Sequence, residues 1–258
     1  MDASVTFAIG DIHGCFDKLS QLLSVCERVG DGRDARFVLL GDYVDRGPDT
    51  KQVVDFLIEK QGQEGDRFIC LRGNHEEMLI NSAARDRSDR DLMMWWANGG
   101  EQTLDSYGVN DPDAIPAEHL AWIKALPATF SDSKRLYVHA GIRPGIPLHA
   151  QSERDLLWIR ELFLCSSADH GVFVVHGHTP TKSRLPELRP NRLDLDTAAC
   201  LGGPLTAAMF TADQALPALF MDTSRQEGGW HERTRHPAAS IVNGQDWVHH
   251  QSEAPQLP

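Results

Sequence analysis

The 258-residue chain is 41% apolar, which suffices for one sizeable core and allows one large domain or two small ones. Its 37 acidic residues against 25 basic ones give a formal net charge of −12, which argues against a general nucleic-acid binder and against docking on an anionic membrane. A protein this negative that binds an anionic substrate needs local positive charge, and a metal ion is one source of it.

In chain order, residues 5–10 (VTFAIG) read as a buried strand. A helix follows whose one face carries Phe16, Leu19, Leu22, Leu23, Cys26 and Val29. Residues 36–41 (RFVLLG) are the next strand, and Val53, Val54, Leu57 and Ile58 then recur at helical spacing. Residues 67–73 (RFICLRG) give a third strand, with a helix from about His75. This βαβαβ order predicts a parallel sheet with covering helices. Residues 89–126 are helical and irregular, and their Trp-rich stretch LMMWWANGG reads as core or cleft wall rather than cofactor contact. Strands are predicted at 135–141, 172–178, 192–197, 205–211 and 216–223, with few helices between them, so the second half reads as a more antiparallel sheet. The fold class is therefore α/β: a mixed two-sheet sandwich flanked by helices, within one domain over residues 1–223.

Residues 224–258 are polar and turn-rich and are expected to form a surface extension, with His249 and His250 solvated rather than bound to metal. The five cysteines are odd in number and form no CxxC pair, as expected of free thiols in a reducing cytoplasm. The N-terminal residues lack a signal-peptide pattern, and no apolar run approaches the ~20 residues of a membrane helix.

Five motifs fall at predicted strand ends: GDIHG (10–14), GDYVDRG (41–47), RGNHE (72–76), VHAG (138–141) and HGHT (176–179). Ligands of open α/β sheets collect beyond the carboxyl ends of strands. A carboxylate set beside a buried apolar run is costly unless something there needs it. The motifs offer Asp11, His13, Asp42, Asn74, His139 and His178, a mixture of carboxylate, amide and imidazole donors suited to divalent transition metals. Six such groups are too many for one ion, whereas two ions sharing a carboxylate would use them, with Asp42 as the natural bridge.

The ordered set resembles the calcineurin-like metallophosphoesterases, and within them the phosphoprotein phosphatase branch with its GDxHG, GDxVDRG and GNHE signatures and two later histidines. That resemblance implies an αββα metallophosphoesterase fold and a dinuclear manganese, iron or zinc centre, with manganese favoured. It implies Asp11, His13 and Asp42 at the first metal and Asp42, Asn74, His139 and His178 at the second, with His176 a rival to His178. His75 resembles the family's general acid, Asp45 its orienting carboxylate, and Arg46 a phosphate clamp. Arg160 in LLWIRE resembles a second clamp, with Arg143 and Arg72 as weaker competitors.

The implied activity is metal-dependent phosphomonoester hydrolysis by a metal-bridged hydroxide, acting on phosphoserine or phosphothreonine in proteins. The alternative is symmetrical hydrolysis of dinucleoside polyphosphates such as diadenosine tetraphosphate, and a non-catalytic sensor is a third reading. The intact VDRG favours the phosphatase, because the dinucleotide hydrolases usually carry GDLVARG there. The implied partner is a phosphorylated protein or a small phosphoester. Neither a nucleic-acid polymer nor a membrane is expected, and the oligomeric state is left open. The stretch LDLDTAACLGGPLTA departs from the bacterial branch's DTGA…GG…LTA pattern at Cys200 and Pro204, and residues 77–134 match no motif beyond a lid or cleft wall.

Overall fold

The chain alternates strand and helix from its start: β1 (Val5–Ile9), α1 (Phe16–Gly30), β2 (Ala35–Leu39), α2 (Thr50–Glu64), β3 (Phe68–Cys70) and α3 (Asn74–Ala83). The structure, a computed structural model, describes residues 3–224 and the backbone of residues 233–234. A helical segment comes next, with α4 (Asp89–Ala97), α5 (Gly100–Tyr107) and α6 (Ala117–Ala125). The second half contains β4 (Thr129–Ser131), β5 (Arg135–Val138), α7 (Glu153–Trp158), α8 (Glu161–Leu164), β6 (Phe173–His176), β7 (Glu187–Leu188) and β8 (Arg192–Asp194). It closes with β9 (Thr206–Thr211), β10 (Leu219–Asp222) and β11 (Arg233–Thr234).

Two sheets result, ordered β11-β10-β9-β1-β2-β3 and β4-β5-β6-β8-β7. In the first, β1, β2 and β3 are parallel as expected, with Phe7 opposite Phe37 and Phe37 opposite Phe68. The second half is less antiparallel than its sequence suggests. β5, β6 and β8 run parallel in the second sheet, while β9 and β10 cross back to pair antiparallel beside β1. The β5–β6 crossover is built from loops and two short helices, so it lacks the long amphipathic repeat that signals a parallel connection. The expected extension lies outside the described residues, apart from the backbone of β11 paired with β10.

Period-2 alternation divides the apolar residues into three layers. Val5, Phe7 and Ile9 of β1 and Phe37 and Leu39 of β2 face α1, α2 and α3. Ala8, Val38, Tyr137, Val175, Leu193 and Phe210 fill the space between the sheets. Val138 and Val174 face Ile159 and Phe163, under α7 and α8. The order is helix, sheet, sheet, helix, and the carboxyl ends of the parallel strands of both sheets come out on one side. No helix among the described residues is long and apolar enough to cross a membrane.

Candidate active site

Each motif occupies the turn that ends a strand: Asp11 and His13 follow β1, Asp42 to Arg46 follow β2, Asn74 and His75 follow β3, His139 follows β5 and His178 follows β6. These turns are strained. Of the eight non-glycine residues with left-handed φ among the described residues, five are His13, Asp42, Asp45, Arg46 and His178. Side-chain sterics make that conformation cost roughly 1–2 kcal/mol per residue, and such residues gather where function fixes the backbone. Gly73 and Gly177 allow the turns to close: a Cβ would lie 2.2 Å from Asp42 Oδ1 at the first and 2.0 Å from Asp11 Oδ1 at the second.

Asp42 is central and buried. Its Oδ1 lies 3.3 Å from His139 Nε2 and accepts the His75 backbone N–H at 3.1 Å; its Oδ2 lies 3.4 Å from His13 Nε2 and 3.9 Å from His75 Nε2. Asn74 Oδ1 stands 2.8 Å from both His139 Nε2 and His178 Nδ1. The side chains thus form two groups whose ligand atoms lie within 4.8 Å of one another, His13–Asp42–His75 and Asp42–His139–His178, and Asp42 belongs to both. Asp11 sits against the same cluster and accepts the His178 backbone N–H at 3.1–3.2 Å.

His178, not its rival His176, reaches this point. His176 continues the strand alternation of Val174 and packs its ring on Phe163, 5.1 Å between centroids, with Arg192 3.2 Å from its Nε2. At His178 the backbone turns left-handed and sends the ring to Asn74.

The donors suit divalent cations. His139 gives its Nδ1 proton to Leu40 O at 2.9 Å, so its bare Nε2 confronts Asn74 Oδ1 and Asp42 Oδ1 lone pair to lone pair. A cation between them would turn that repulsion into coordination. Burial holds His139 below the ordinary imidazole range and depresses His13 to about 3, so both rings are neutral, as metal ligands must be. Burial also raises Asp11, helped by the neighbouring charges of Asp196 and Asp42. Burial and Asp42 push Asp196 up to about 6. Three carboxylates crowded out of water in this way are a setting in which positive charge is needed.

His75 also reaches away from the cluster and forms a buried pair with Asp45, Nδ1 to Oδ2 at 2.7 Å. Asp45 is fully buried, and its other oxygen accepts the Trp95 indole N–H at 2.9 Å and the Thr103 hydroxyl at 2.8 Å. Burial works against a charged His75, but Asp42 and Asp45 outweigh it and raise its pKa. Trp95 and Thr103 belong to the helical segment that matched no motif, so its inner face anchors the pair.

Glu76 is a further functional residue that the sequence reading did not single out. Its carboxylate accepts backbone N–H groups of Gly73, Asp42, Tyr43 and Val44 at 2.7–3.2 Å and ties the turns after β2 and β3 together. Its position in GNHE was the available signal.

Arg46 Nη1 lies 2.8 Å from His13 Nε2, and Arg160 Nε donates to His178 Nε2 at 3.1 Å, so the two guanidinium groups flank the cluster from different loops. The competitors are engaged elsewhere, Arg143 with Asp155 at 2.7 Å and Arg72 with Glu153. All five cysteines are free.

The sequence matches the calcineurin-like phosphoesterase family over residues 5–209. The chain belongs to that family. This phosphoesterase is 32% identical over 214 residues to serine/threonine-protein phosphatase 1 of Salmonella typhimurium, covering 78% of this chain and 90% of that one. It is 32% identical over 142 residues to the symmetrical bis(5'-nucleosyl)-tetraphosphatase of Aromatoleum aromaticum, covering 54% of this chain and 45% of that one. Among solved structures it resembles one described as a candidate diadenosine tetraphosphatase, with a TM-score of 0.61 and 21% identity over 88% of this chain and 96% of that one, a likeness that bears on the fold. The dependence on a dinuclear metal centre comes with the family and agrees with the two His/Asp clusters.

Proposed function

We propose that this phosphoesterase hydrolyses phosphomonoesters of alcohols, with phosphoserine and phosphothreonine in proteins as its substrates. Asp11, His13 and Asp42 would hold one divalent cation and Asp42, Asn74, His139 and His178 the other, with manganese favoured. The cations would supply Lewis acidity toward the phosphoryl oxygens and bring the pKa of water toward neutrality.

The protein's own groups do the rest. Arg46 and Arg160 bind the equatorial phosphoryl oxygens, where guanidinium geometry matches the charge that spreads in the transition state. His75 holds a proton at Nε2 for the leaving oxygen, while Asp45 fixes Nδ1 and with it the ring's orientation. Phosphate and the free alcohol leave, and no phospho-enzyme is formed.

The observation that carries this reading is the Asp45–His75 pair, 2.7 Å long and anchored by two further donors. An alkoxide is a basic leaving group and depends on an oriented acid, whereas a nucleotide leaves with less help. The second reading, symmetrical hydrolysis of dinucleoside polyphosphates, draws on the likeness to the Aromatoleum aromaticum enzyme. Parallel kcat/KM measurements with manganese on a phosphothreonine peptide and on diadenosine tetraphosphate decide between them. Preference for the peptide is the expected outcome, and preference for the dinucleotide would replace it by the second reading.

A further inference from the structure

A cavity of about 310 Å³ borders the candidate site, and of its lining only Arg160 enters the mechanism above. It is lined by Arg143, Arg154, Asp155, Trp158, Arg160 and Glu161, among others. Two of its walls are shared with the site: Arg160 donates to His178, and the Trp158 ring stands 6.2 Å from the His178 ring. The Trp158 indole N–H donates to Glu77 Oε2 at 2.6 Å, which fixes that wall.

The charges in the cavity are sorted. Asp155 is already satisfied, taking two hydrogen bonds from Arg143 at 2.9 and 2.7 Å and one from Ser152 Oγ at 2.7 Å. Those contacts, with a smaller contribution from the Arg154 charge, hold it below the ordinary carboxylate range. Arg143 is fixed by the same bonds. Arg154 forms no hydrogen bond or close ion pair with the described residues. It stands four residues before Trp158 on α7, a spacing that puts the two side chains on one helix face. With Asp155 matched by Arg143, exposed Glu161 is the remaining acid of the lining set against Arg154 and Arg160. Three arginines against two acids give this hollow a local excess of positive charge in a chain of net charge −12, and such an excess beside the phosphoryl site attracts anions.

We infer that this cavity is an anion subsite, which takes a second phosphate or carboxylate group of the same substrate molecule whose scissile phosphoryl lies between Arg46 and Arg160. The inference rests on the phosphoesterase reading above and adds a substrate class to it: esters that carry another anion close to the reacting one. The cavity has room for a phosphate or an acidic side chain with its water. Arg160 serves both compartments, Arg154 the subsite alone, and Arg143 holds the wall.

The test is Arg154→Gln in the manganese-loaded full chain, with Arg154→Lys as the conservative control. Arg154 is exposed, so neither change disturbs the core. Four substrates are compared: p-nitrophenyl phosphate, a phosphothreonine peptide with neutral neighbours, the same peptide with acidic neighbours, and diadenosine tetraphosphate. The expected result is kcat/KM within about twofold of wild type on the first two and about tenfold lower on a substrate bearing the second anion, mostly through KM, with Arg154→Lys restoring most of it. Loss confined to the acidic peptide assigns the anion to a side chain, and loss confined to the dinucleotide assigns it to a second phosphate. Equal loss on all four substrates, or on none, overturns the subsite. Wild-type protein inactive on p-nitrophenyl phosphate would overturn the parent reading, and the subsite with it.

Discussion

Trp95→Phe tests whether the helical segment between β3 and β4 works through Asp45. The substitution keeps an aromatic ring and deletes the indole N–H that lies 2.9 Å from Asp45 Oδ1. Asp45 has no contact with solvent, so no water replaces the lost donor. A hydrogen bond to a charged group contributes about 1.5–3 kcal/mol. The smaller ring leaves a partial void at a fully buried position, adding about 1 kcal/mol. The sum, roughly 3 kcal/mol, corresponds to a melting temperature lower by about 6–12 °C for a domain of this size. Thr103 Oγ1 and His75 Nδ1 still donate to Asp45, so the pair survives but is held less firmly. Turnover of p-nitrophenyl phosphate is expected to fall about tenfold in kcat, a fraction of the 10²–10⁴ range for losing a general acid altogether, with KM and bound metal unchanged. Thermal unfolding, steady-state kinetics and elemental analysis on one preparation suffice. Wild-type kcat in a protein that shows the stability loss would refute the coupling. A fall in kcat that tracks lost metal would refute it equally, since the indole would then support the whole centre and not the pair.

Four further outcomes are expected. His75→Asn should keep its metal and lose roughly 10²–10⁴-fold in kcat, and normal turnover would remove His75 from the chemistry. Gly177→Ala would place a methyl group 2.0 Å from Asp11 Oδ1, so elemental analysis should find metal content well below wild type; full occupancy would show that the Asp11 carboxylate can shift without consequence. Ala198 stands at φ 62°, a conformation glycine adopts without steric cost, so Ala198→Gly should raise stability by roughly 0.5–1 kcal/mol after the glycine's extra unfolded-state entropy is subtracted, read as the urea midpoint at constant slope. Chelation should abolish phosphoesterase activity and lower the melting temperature by about 5–10 °C, the equivalent of removing a ligand held at about a hundred times its dissociation constant; an unchanged melting curve would mean that Asp11, Asp42 and Asp196 do not need a cation to stay buried.

The sequence made the strand-end motifs legible because each carries its own local chemistry. Glycines permit tight turns, and the donor types crowd together at a spacing that chance seldom produces. Local pattern likewise found β1 to β3 as short apolar runs and α1 and α2 by apolar residues recurring at helical spacing. It could not show that β9 and β10 return to the first sheet, since that pairing joins Phe7 to Met209 across most of the chain with nothing local to announce it. Trp95 and Thr103 were hidden for a related reason. A buried tryptophan reads as core whether or not its N–H meets a carboxylate from another loop, and only the fold reveals that it does. The choice between His176 and His178 turned on a backbone angle, because strand alternation gives both the same parity and the left-handed turn at His178 separates them.

The strained turns connect these observations. Five of the left-handed residues also supply a side chain to the cluster, the pair or a flanking arginine. A relaxed extended backbone would point alternate residues to opposite faces and could not aim Asp42, Asp45 and Arg46 at three neighbouring targets from one short loop. The loop after β2 does so by adopting left-handed φ at all three positions, at 53°, 70° and 68°. At roughly 1–2 kcal/mol each, that conformation persists because other groups hold it. Glu76 takes three of the loop's N–H groups, Gly99 O takes the Arg46 N–H at 3.0 Å, and Thr103 Oγ1 takes the Asp45 N–H at 2.9 Å. The helical segment therefore acts on the loop twice, through Gly99 O and Thr103 Oγ1, which accept the loop's backbone N–H groups, and through the side-chain donors of Trp95 and Thr103. Its role is that of a brace for the turn after β2, with the exposed Met93 and Trp96 of α4 left on its outer surface.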